Sequence, residues 1–192
     1  MTNEVTGHFD YIAQTYEQRV TIISKLYRRL KQSLIKNIVP PGKKILDYGC
    51  GTGEILNSLH SSHGIGYDSS TEMTKLAKSK FKKLHFVSSL TSIRTKFDYI
   101  LMLDIIEHLQ NLSGELTTVK KYMGADTKLV ISYVDLFWKP LLDFLEAIKL
   151  KMPEGPHKRI DVKKILNLAA KSGLKLRRKG KSLLITYLIF ER

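Results

Sequence analysis

The sequence predicts an α/β protein of three layers, α/β/α, with helices on both faces of a seven-stranded, mostly parallel sheet that ends in a C-terminal antiparallel hairpin. Three observations carry that expectation. Short apolar runs of strand length alternate with helix-period segments through the middle of the chain. One of those runs, Phe97–Leu103, is apolar almost throughout, as a strand covered on both faces is. The C-terminal stretch holds two further apolar runs close together, which is the spacing of a hairpin. A length of 192 residues, 43% of them hydrophobic, suits one domain with a real core and argues against disorder.

Taken in order, Ile12, Tyr16, Ile22, Ile23, Leu26, Leu30, Leu34 and Ile35 recur at three- and four-residue spacing, which reads as one or two amphipathic helices over 11–36. Pro40-Pro41-Gly42 ends that pattern. Lys43–Asp47 is a short buried strand, Glu54–Leu59 a short helix, His63–Asp68 a second strand and Thr71–Phe81 a helix. A third strand falls at Leu84–Val87 and the fourth at Phe97–Leu103. Glu107–Tyr122 reads as one helix and Lys128–Val134 as the fifth strand. Leu136–Leu150 is an amphipathic helix whose Leu141, Phe144, Leu145 and Ile148 form a core stripe. Phe137, Trp138 and Leu142 widen the apolar surface, so a greasy pocket or a lipid-facing edge is the alternative for this helix. Pro153–Pro156 is an irregular break. Asp161 caps a helix to Lys171 that Gly173 stops, and strands at 174–178 and 183–190 flank a turn at Lys179-Gly180-Lys181. With no internal repeat or low-complexity linker, 1–192 reads as one domain: a helical cap (1–40), a binding core (43–135) and a C-terminal part (136–192).

The most informative stretch is Asp47-Tyr48-Gly49-Cys50-Gly51-Thr52-Gly53. A strand runs straight into three glycines at alternate positions, followed by a helix, so the chain turns sharply and a ligand can approach the backbone closely. The spacing is neither the Gly-x-Gly-x-x-Gly of dinucleotide binders nor a phosphate-binding P-loop. Asp68 ends the next strand, where an acceptor-only carboxylate is placed to take both hydroxyls of a ribose. A helix-capping role for Asp68 is the plainer alternative.

These stretches resemble the class I S-adenosylmethionine-dependent methyltransferases, especially the small-molecule group that includes the ubiquinone and menaquinone biosynthesis methyltransferases. ILDYGCGTGEIL is similar to the family's first motif, GYDSSTEMTKLAK to the second, and FDYILMLDIIEHL to the fourth-strand motif of that group. FDYIAQTYEQR, at 9–19, is similar to the N-terminal helix that covers the cofactor. The resemblance implies a Rossmann-like methyltransferase fold and S-adenosylmethionine as cofactor, with S-adenosylhomocysteine as product. It implies cofactor contacts from Asp47, Tyr48, Gly49, Cys50, Gly51 and Gly53, from Asp68 and Ser69, from Leu103 and Asp104, and from Tyr16 and Arg19. Where many members carry an acid for the adenine amino group, this chain has Val87-Ser88-Ser89-Leu90, so Ser88 or a backbone carbonyl takes that place.

Methyl transfer from a sulfonium needs alignment and exclusion of water, and a base only where the acceptor must lose a proton. No metal constellation is required, and none is present in the sequence. His108, just after the fourth strand, titrates in the useful range and is the first candidate base, or else a helix-opening residue satisfied locally. His157, in the Pro/Gly-stiffened loop, is the second, or else an exposed loop histidine.

The 32 Lys and Arg against 18 Asp and Glu give a net charge of +14. Residues 1–42 carry +3, 43–135 carry +2 and 136–192 carry +9, with ten bases and one acid in 158–181. The charge therefore belongs mainly to a C-terminal patch. A small acceptor, apolar or lipid-like, is the first functional expectation. Methylation of RNA or of a nucleic-acid-associated substrate through that patch is the second, weakened by the lack of interleaved aromatics for base stacking. A non-catalytic module docking on anionic membrane or RNA is the third. The single cysteine excludes an internal disulfide, no run is long enough to span a bilayer, and the N-terminus lacks the apolar core of a signal peptide. A cytoplasmic protein is the expectation.

Overall fold

The computed structural model describes residues 3–13, 15–16, 20–134, 138–148 and 161–192. Helices α1 (Asn3–Ala13) and α2 (Ile22–Ile38) precede strand β1 (Lys44–Tyr48). Then come α3 (Glu54–Ser58), β2 (His63–Tyr67), α4 (Thr71–Lys80), β3 (His85–Val87) and β4 (Phe97–Leu103). A single 3-10 turn at Ile106–His108 leads to α5 (Leu112–Lys120), β5 (Met123–Val134) and α6 (Lys139–Ala147). The chain closes with α7 (Val162–Lys171), β6 (Lys175–Ser182) and β7 (Ile185–Glu191).

The seven strands form one sheet in the order β3-β2-β1-β4-β5-β7-β6. Strands β1 to β5 are parallel, and β7 runs antiparallel between β5 and β6. Strand order reverses between β1 and β4, and a crevice opens at the carboxyl ends of those two strands. Open α/β sheets hold ligands at such a switch point.

Period-two alternation along the strands sends side chains to two cores, one on each face. Leu46, Ile100, Met102 and Ile131 pack with Leu116 and Val119 of α5 and Ile165 and Ala169 of α7. Ile45, Leu101 and Val130 pack with Ile35 of α2, Ile55 and Leu56 of α3 and Ala77 of α4. The central strand residues Leu46, Ile100, Leu101 and Met102 are completely buried. Each such side chain is worth about 1.5–3 kcal/mol relative to water, so the sheet centre is the rigid platform of the site.

The N-terminal pattern resolves into two helices because the Thr21 hydroxyl accepts the Ser24 N–H and starts α2 afresh. The expected 107–122 helix is shortened. His108 closes the 3-10 turn, Leu109 is extended, and the Asn111 side chain caps α5 by accepting from Gly114 N–H. Strand β5 begins earlier than expected, since the Thr127 hydroxyl joins Gly124 N–H to the Phe97 carbonyl and pins the Gly124–Thr127 stretch to the sheet.

The hairpin turn also lies elsewhere than the spacing predicts. Lys179-Gly180-Lys181 lies inside β6, and the turn is the two-residue Leu183-Leu184 with Leu183 at φ 49°. Gly180 serves a close approach rather than the turn: a Cβ there would meet the Tyr187 ring at 2.3 Å. The Arg178 guanidinium lies 5.7 Å from the centroid of the same ring. The helix expected over 136–150 is observed as α6, but its stripe is not core. Leu141, Phe144 and Ile148 are 46%, 59% and 46% exposed.

Strand β6 is an edge strand, and it carries Lys175, Arg177, Arg178, Lys179 and Lys181 with no acid. Cations on an edge repel a second strand that would otherwise pair there. The sheet thus accounts for half of the C-terminal basic run. Replacing Arg177 and Lys179 together by valine is expected to increase self-association over the parent chain in size-exclusion chromatography with light scattering. An unchanged elution at equal concentration would contradict edge protection.

Candidate functional site

Beyond Tyr48 the chain reverses over the glycine turn. Gly49 sits at φ 82°, and the N–H groups of Gly49 and Cys50 both donate to the Tyr67 carbonyl, at 2.7 and 2.9 Å. A Cβ on Gly49 would lie 2.5 Å from Ile105 Cγ2, so the turn fits tightly against the end of β4. Gly51, at φ 49°, differs: nothing lies within 4 Å of the place its Cβ would take. That open space is part of a cavity lined by Gly49–Thr52, Asp68, Met73, Leu103–Ile105 and His108. Phe9, Tyr16, Arg28 and Lys31 line it from the N-terminal side.

Asp68 joins the two halves of this cradle. Its Oδ2 accepts Gly51 N–H at 2.8 Å and its Oδ1 accepts Ser70 N–H at 2.9 Å. Ser70 in turn caps α4 by accepting Met73 N–H. The capping alternative for Asp68 therefore goes to Ser70. Burial raises the Asp68 carboxyl, the two backbone donors oppose that, and the charge of Asp10 adds to it. Each oxygen keeps a lone pair for a further donor.

The second cluster surrounds Asp104, a non-glycine residue held at φ 53°. Its N–H donates to the Ser132 carbonyl, and its Oδ1 accepts the Ser132 hydroxyl at 2.9 Å. Its Oδ2 accepts the Tyr27 hydroxyl at 2.5 Å and the Lys31 ammonium at 2.9 Å. Burial pushes this carboxyl upward, but the Lys31 charge and the three side-chain donors outweigh it and hold Asp104 below the usual carboxylate range. Burial acts to lower Lys31 and Asp104 more than reverses that, so both remain charged. The pair seats α2 on the carboxyl end of β4. Arg28, one residue after Tyr27, pairs with Glu54 at 3.1 Å, and Lys80 joins the same carboxylate.

Asp47 lies behind the glycine turn, 3% exposed, with Oδ2 lacking a hydrogen-bond partner among the described residues. Burial, partly offset by the Lys31 charge and reinforced by Asp68, raises it to about 7. Cys50 is also pushed well up, by burial and then by Asp47 and Asp68, so its thiol stays protonated and is no nucleophile at neutral pH.

Helix α1 crosses the open side. Asp10 accepts the Ser70 hydroxyl at 2.6 Å and Glu72 N–H at 3.3 Å, and Ile12 and Ala13 pack on Met73. The Phe9 ring meets His108 edge-on at 5.5 Å. His108 is 8% exposed in the 3-10 turn and faces the cavity.

Of the residues singled out in the sequence, the cavity brings together Tyr16, Gly49, Cys50, Gly51, Asp68, Leu103, Asp104 and His108. Asp47 lies just beneath it. Tyr48 points to the opposite face, where its hydroxyl donates to Glu115 of α5. Gly53 caps α3 against Phe86, Ser69 contacts Thr6 of α1, and Ser88 is exposed beyond β3. Arg19 and His157 lie outside the described residues. Sequence reasoning missed Arg28 and Lys31. The signal was available: Lys31 shares a helix face with Tyr27, Leu34, Ile35 and Ile38, and a cation on an apolar face calls for an acid.

A glycine turn and an acid at the ends of adjacent strands, beside the switch point of a seven-stranded sheet with a reversed last strand, define a methyltransferase-type α/β domain. A methyltransferase-domain profile matches residues 17–179. The fold is shared with magnesium protoporphyrin IX methyltransferase of Synechocystis PCC 6803, solved with S-adenosylhomocysteine, at TM-score 0.73 and 19% identity, covering 99% of this chain and 100% of that one. It is shared also with a TehB-like S-adenosylmethionine-dependent methyltransferase of Corynebacterium glutamicum, at TM-score 0.67 and 21% identity, covering 94% and 97%. In sequence the chain is 25% identical over 140 residues to (S)-coclaurine N-methyltransferase of Papaver somniferum, 67% of this chain and 38% of that one. A Methanocaldococcus jannaschii protein is 34% identical over 79 residues, 41% of this chain and 30% of that one. The matched region thus spans well under half the length of these curated relatives. The chain belongs to the class I S-adenosylmethionine-dependent methyltransferase family.

The charge set yields a stability prediction. A carboxyl whose folded-state value is raised from 3.8 to about 7 favours folding fully at low pH and loses that contribution as pH rises through this window. Asp47→Asn removes the cost of burying the charge. It is expected to stabilise the ligand-free chain by ~1–4 kcal/mol near pH 8 and by little near pH 4, read by urea unfolding. An equal effect at both pH values would contradict the shift.

Proposed function

We propose that this chain transfers the methyl group of S-adenosylmethionine to a small acceptor, apolar or lipid-like, releasing S-adenosylhomocysteine. One observation carries the reading: the open space over Gly51 and the Asp68 carboxylate share a single cavity, so backbone and ribose acceptor face one ligand. Asp68 takes the ribose hydroxyls, with Ser69 beside it. Gly49, Cys50 and Gly51 line the methionine end, with Asp47 behind them as the counter-charge. The Gly53 turn and the Tyr48 backbone hold this loop in place. Leu103 and Asp104 form the wall beneath the methyl group. Tyr16 closes the cover that α1 begins, and Arg19 and His157 are assigned to that cover and to the acceptor side. Ser88 or its backbone takes the adenine end. The same reading divides the chain into a cap (1–40), a cofactor core (43–135) and an acceptor-side part (136–192).

His108 is the base where the acceptor is a phenol or alcohol, because it faces the cavity one turn beyond Asp104. Relatives named for coclaurine and for magnesium protoporphyrin IX support a small organic acceptor. Action on nucleic acid is not favoured. The β6 cations lie three strands away from β4, beyond β5 and β7, on the sheet edge.

Calorimetry is expected to show S-adenosylhomocysteine binding to the parent chain. Asp68→Ala should weaken it at least tenfold, since two charge-assisted hydrogen bonds are lost. A folded parent chain that binds neither S-adenosylmethionine nor its product would refute the reading. His108→Asn is expected to lower kcat on hydroxylated apolar acceptors about a hundredfold or more while leaving S-adenosylhomocysteine affinity unchanged. An unchanged kcat would remove His108 from the chemistry.

A further inference from the structure

We propose that the outward face of α2 docks on an anionic lipid surface, with the exposed stripe of α6 as a second contact. Helix α2 holds 17 residues with five bases and no acid. At 100° per residue its sides separate cleanly. Tyr27, Lys31 and Ile35 face inward, where Lys31 and Tyr27 meet Asp104 and Ile35 is fully buried. Ile22, Lys25, Leu26, Arg29 and Lys36 share the opposite side and are all exposed, Ile22 by 85% and Leu26 by 57%.

The cations divide in the same way. Arg28 and Lys31 are matched by Glu54 and Asp104, whereas Lys25, Arg29 and Lys36 have no acidic partner among the described residues. One face thus mixes bare aliphatic side chains with unmatched positive charge. Apolar tips that reach the acyl boundary, with cations at the headgroups, are the composition of a helix lying in an anionic membrane interface. A second copy of the same face would set like charges together, and a single-stranded nucleic acid would find no aromatic side chain there to stack on. The helix is not a membrane span, being too short and too charged.

Helix α6 adds a second apolar stripe, Leu141, Phe144 and Ile148, at helical spacing and exposed. It opens five residues beyond the carboxyl end of β5, and α2 is fastened to Asp104 at the carboxyl end of β4. The anchor of α2 thus lies at the end of the sheet that carries the cavity, and α6 starts close to that end along the chain. The docking itself does not depend on methyl transfer; its consequence, access to an acceptor dissolved in the bilayer, rests on the proposed function.

The test is cosedimentation of the full chain with vesicles of phosphatidylcholine mixed with phosphatidylserine, against phosphatidylcholine alone. Binding to the mixed vesicles is expected, falling with added salt. Lys25→Glu with Arg29→Glu is expected to weaken it more than tenfold, at roughly fivefold for each cation removed and more for its reversal. Ile22→Ser with Leu26→Ser should weaken it at least tenfold, and Phe144→Ser to a smaller extent. S-adenosylhomocysteine affinity stays unchanged in each variant and reports an intact fold. The proposal is overturned if mixed vesicles are not bound, or if both double variants bind as the parent does. It is overturned equally by binding to an RNA oligonucleotide without vesicle binding, or by a dimer that Ile22→Ser with Leu26→Ser dissolves in place of a vesicle complex. A chain that binds vesicles but no cofactor would leave the docking standing and end the methyl-transfer reading.

Discussion

The hydrogen bond from Gly51 N–H to Asp68 is the constraint on which the site depends. It ties the turn after β1 to the end of β2, while the second oxygen of the same carboxylate holds Ser70, the residue that caps α4. A carboxylate with two backbone donors keeps a fixed orientation without using up its lone pairs. The glycine turn is thereby held open rather than collapsed onto its own core, with Gly49 pressed on Ile105 and Gly51 facing empty space. Fold and ligand geometry are set by the same few atoms.

Electrostatics completes the cradle. Three acids, Asp47, Asp68 and Asp104, lie at the carboxyl ends of neighbouring strands, and among the described residues only Asp104 has a cation in contact. Lys31 resolves that pair and reaches Asp47 by charge alone, which leaves Asp47 high at about 7 and Asp104 low. A cavity with spare negative charge suits a ligand bearing a sulfonium and an ammonium. Removing Lys31 would strand a buried carboxylate, a loss typically of about 3–5 kcal/mol, so α2 is both cover and counter-ion.

Much of this was legible in the sequence. Strand-to-glycine turn, Asp68 and the Phe97–Leu103 run are local signals, and each lies where the motif spacing put it. Long-range pairs were not legible: Lys31 and Asp104 are 73 residues apart, and nothing local announces their meeting. The family resemblance puts Tyr48 on the ligand with Asp47, but period-two alternation sends neighbours to opposite faces, and the Tyr48 hydroxyl donates to Glu115. Helical periodicity identifies the Leu141, Phe144 and Ile148 stripe but does not say what covers it, and about half of each side chain is left exposed. Gly180 looked like a turn signal because the Tyr187 ring that needs its bare backbone lies across the hairpin. The +14 charge likewise divides by place, into an edge strand that resists pairing and a helix face beside the cavity.

The most direct test of the central claim, that one cavity over Gly51 and beside Asp68 holds the methyl donor, is a crystal structure of the chain with S-adenosylhomocysteine. The account requires the two ribose hydroxyls within hydrogen-bond distance of the Asp68 oxygens and the homocysteine laid along Gly49–Gly51. A ligand bound elsewhere with that cavity empty, or a ribose turned away from Asp68, would contradict it.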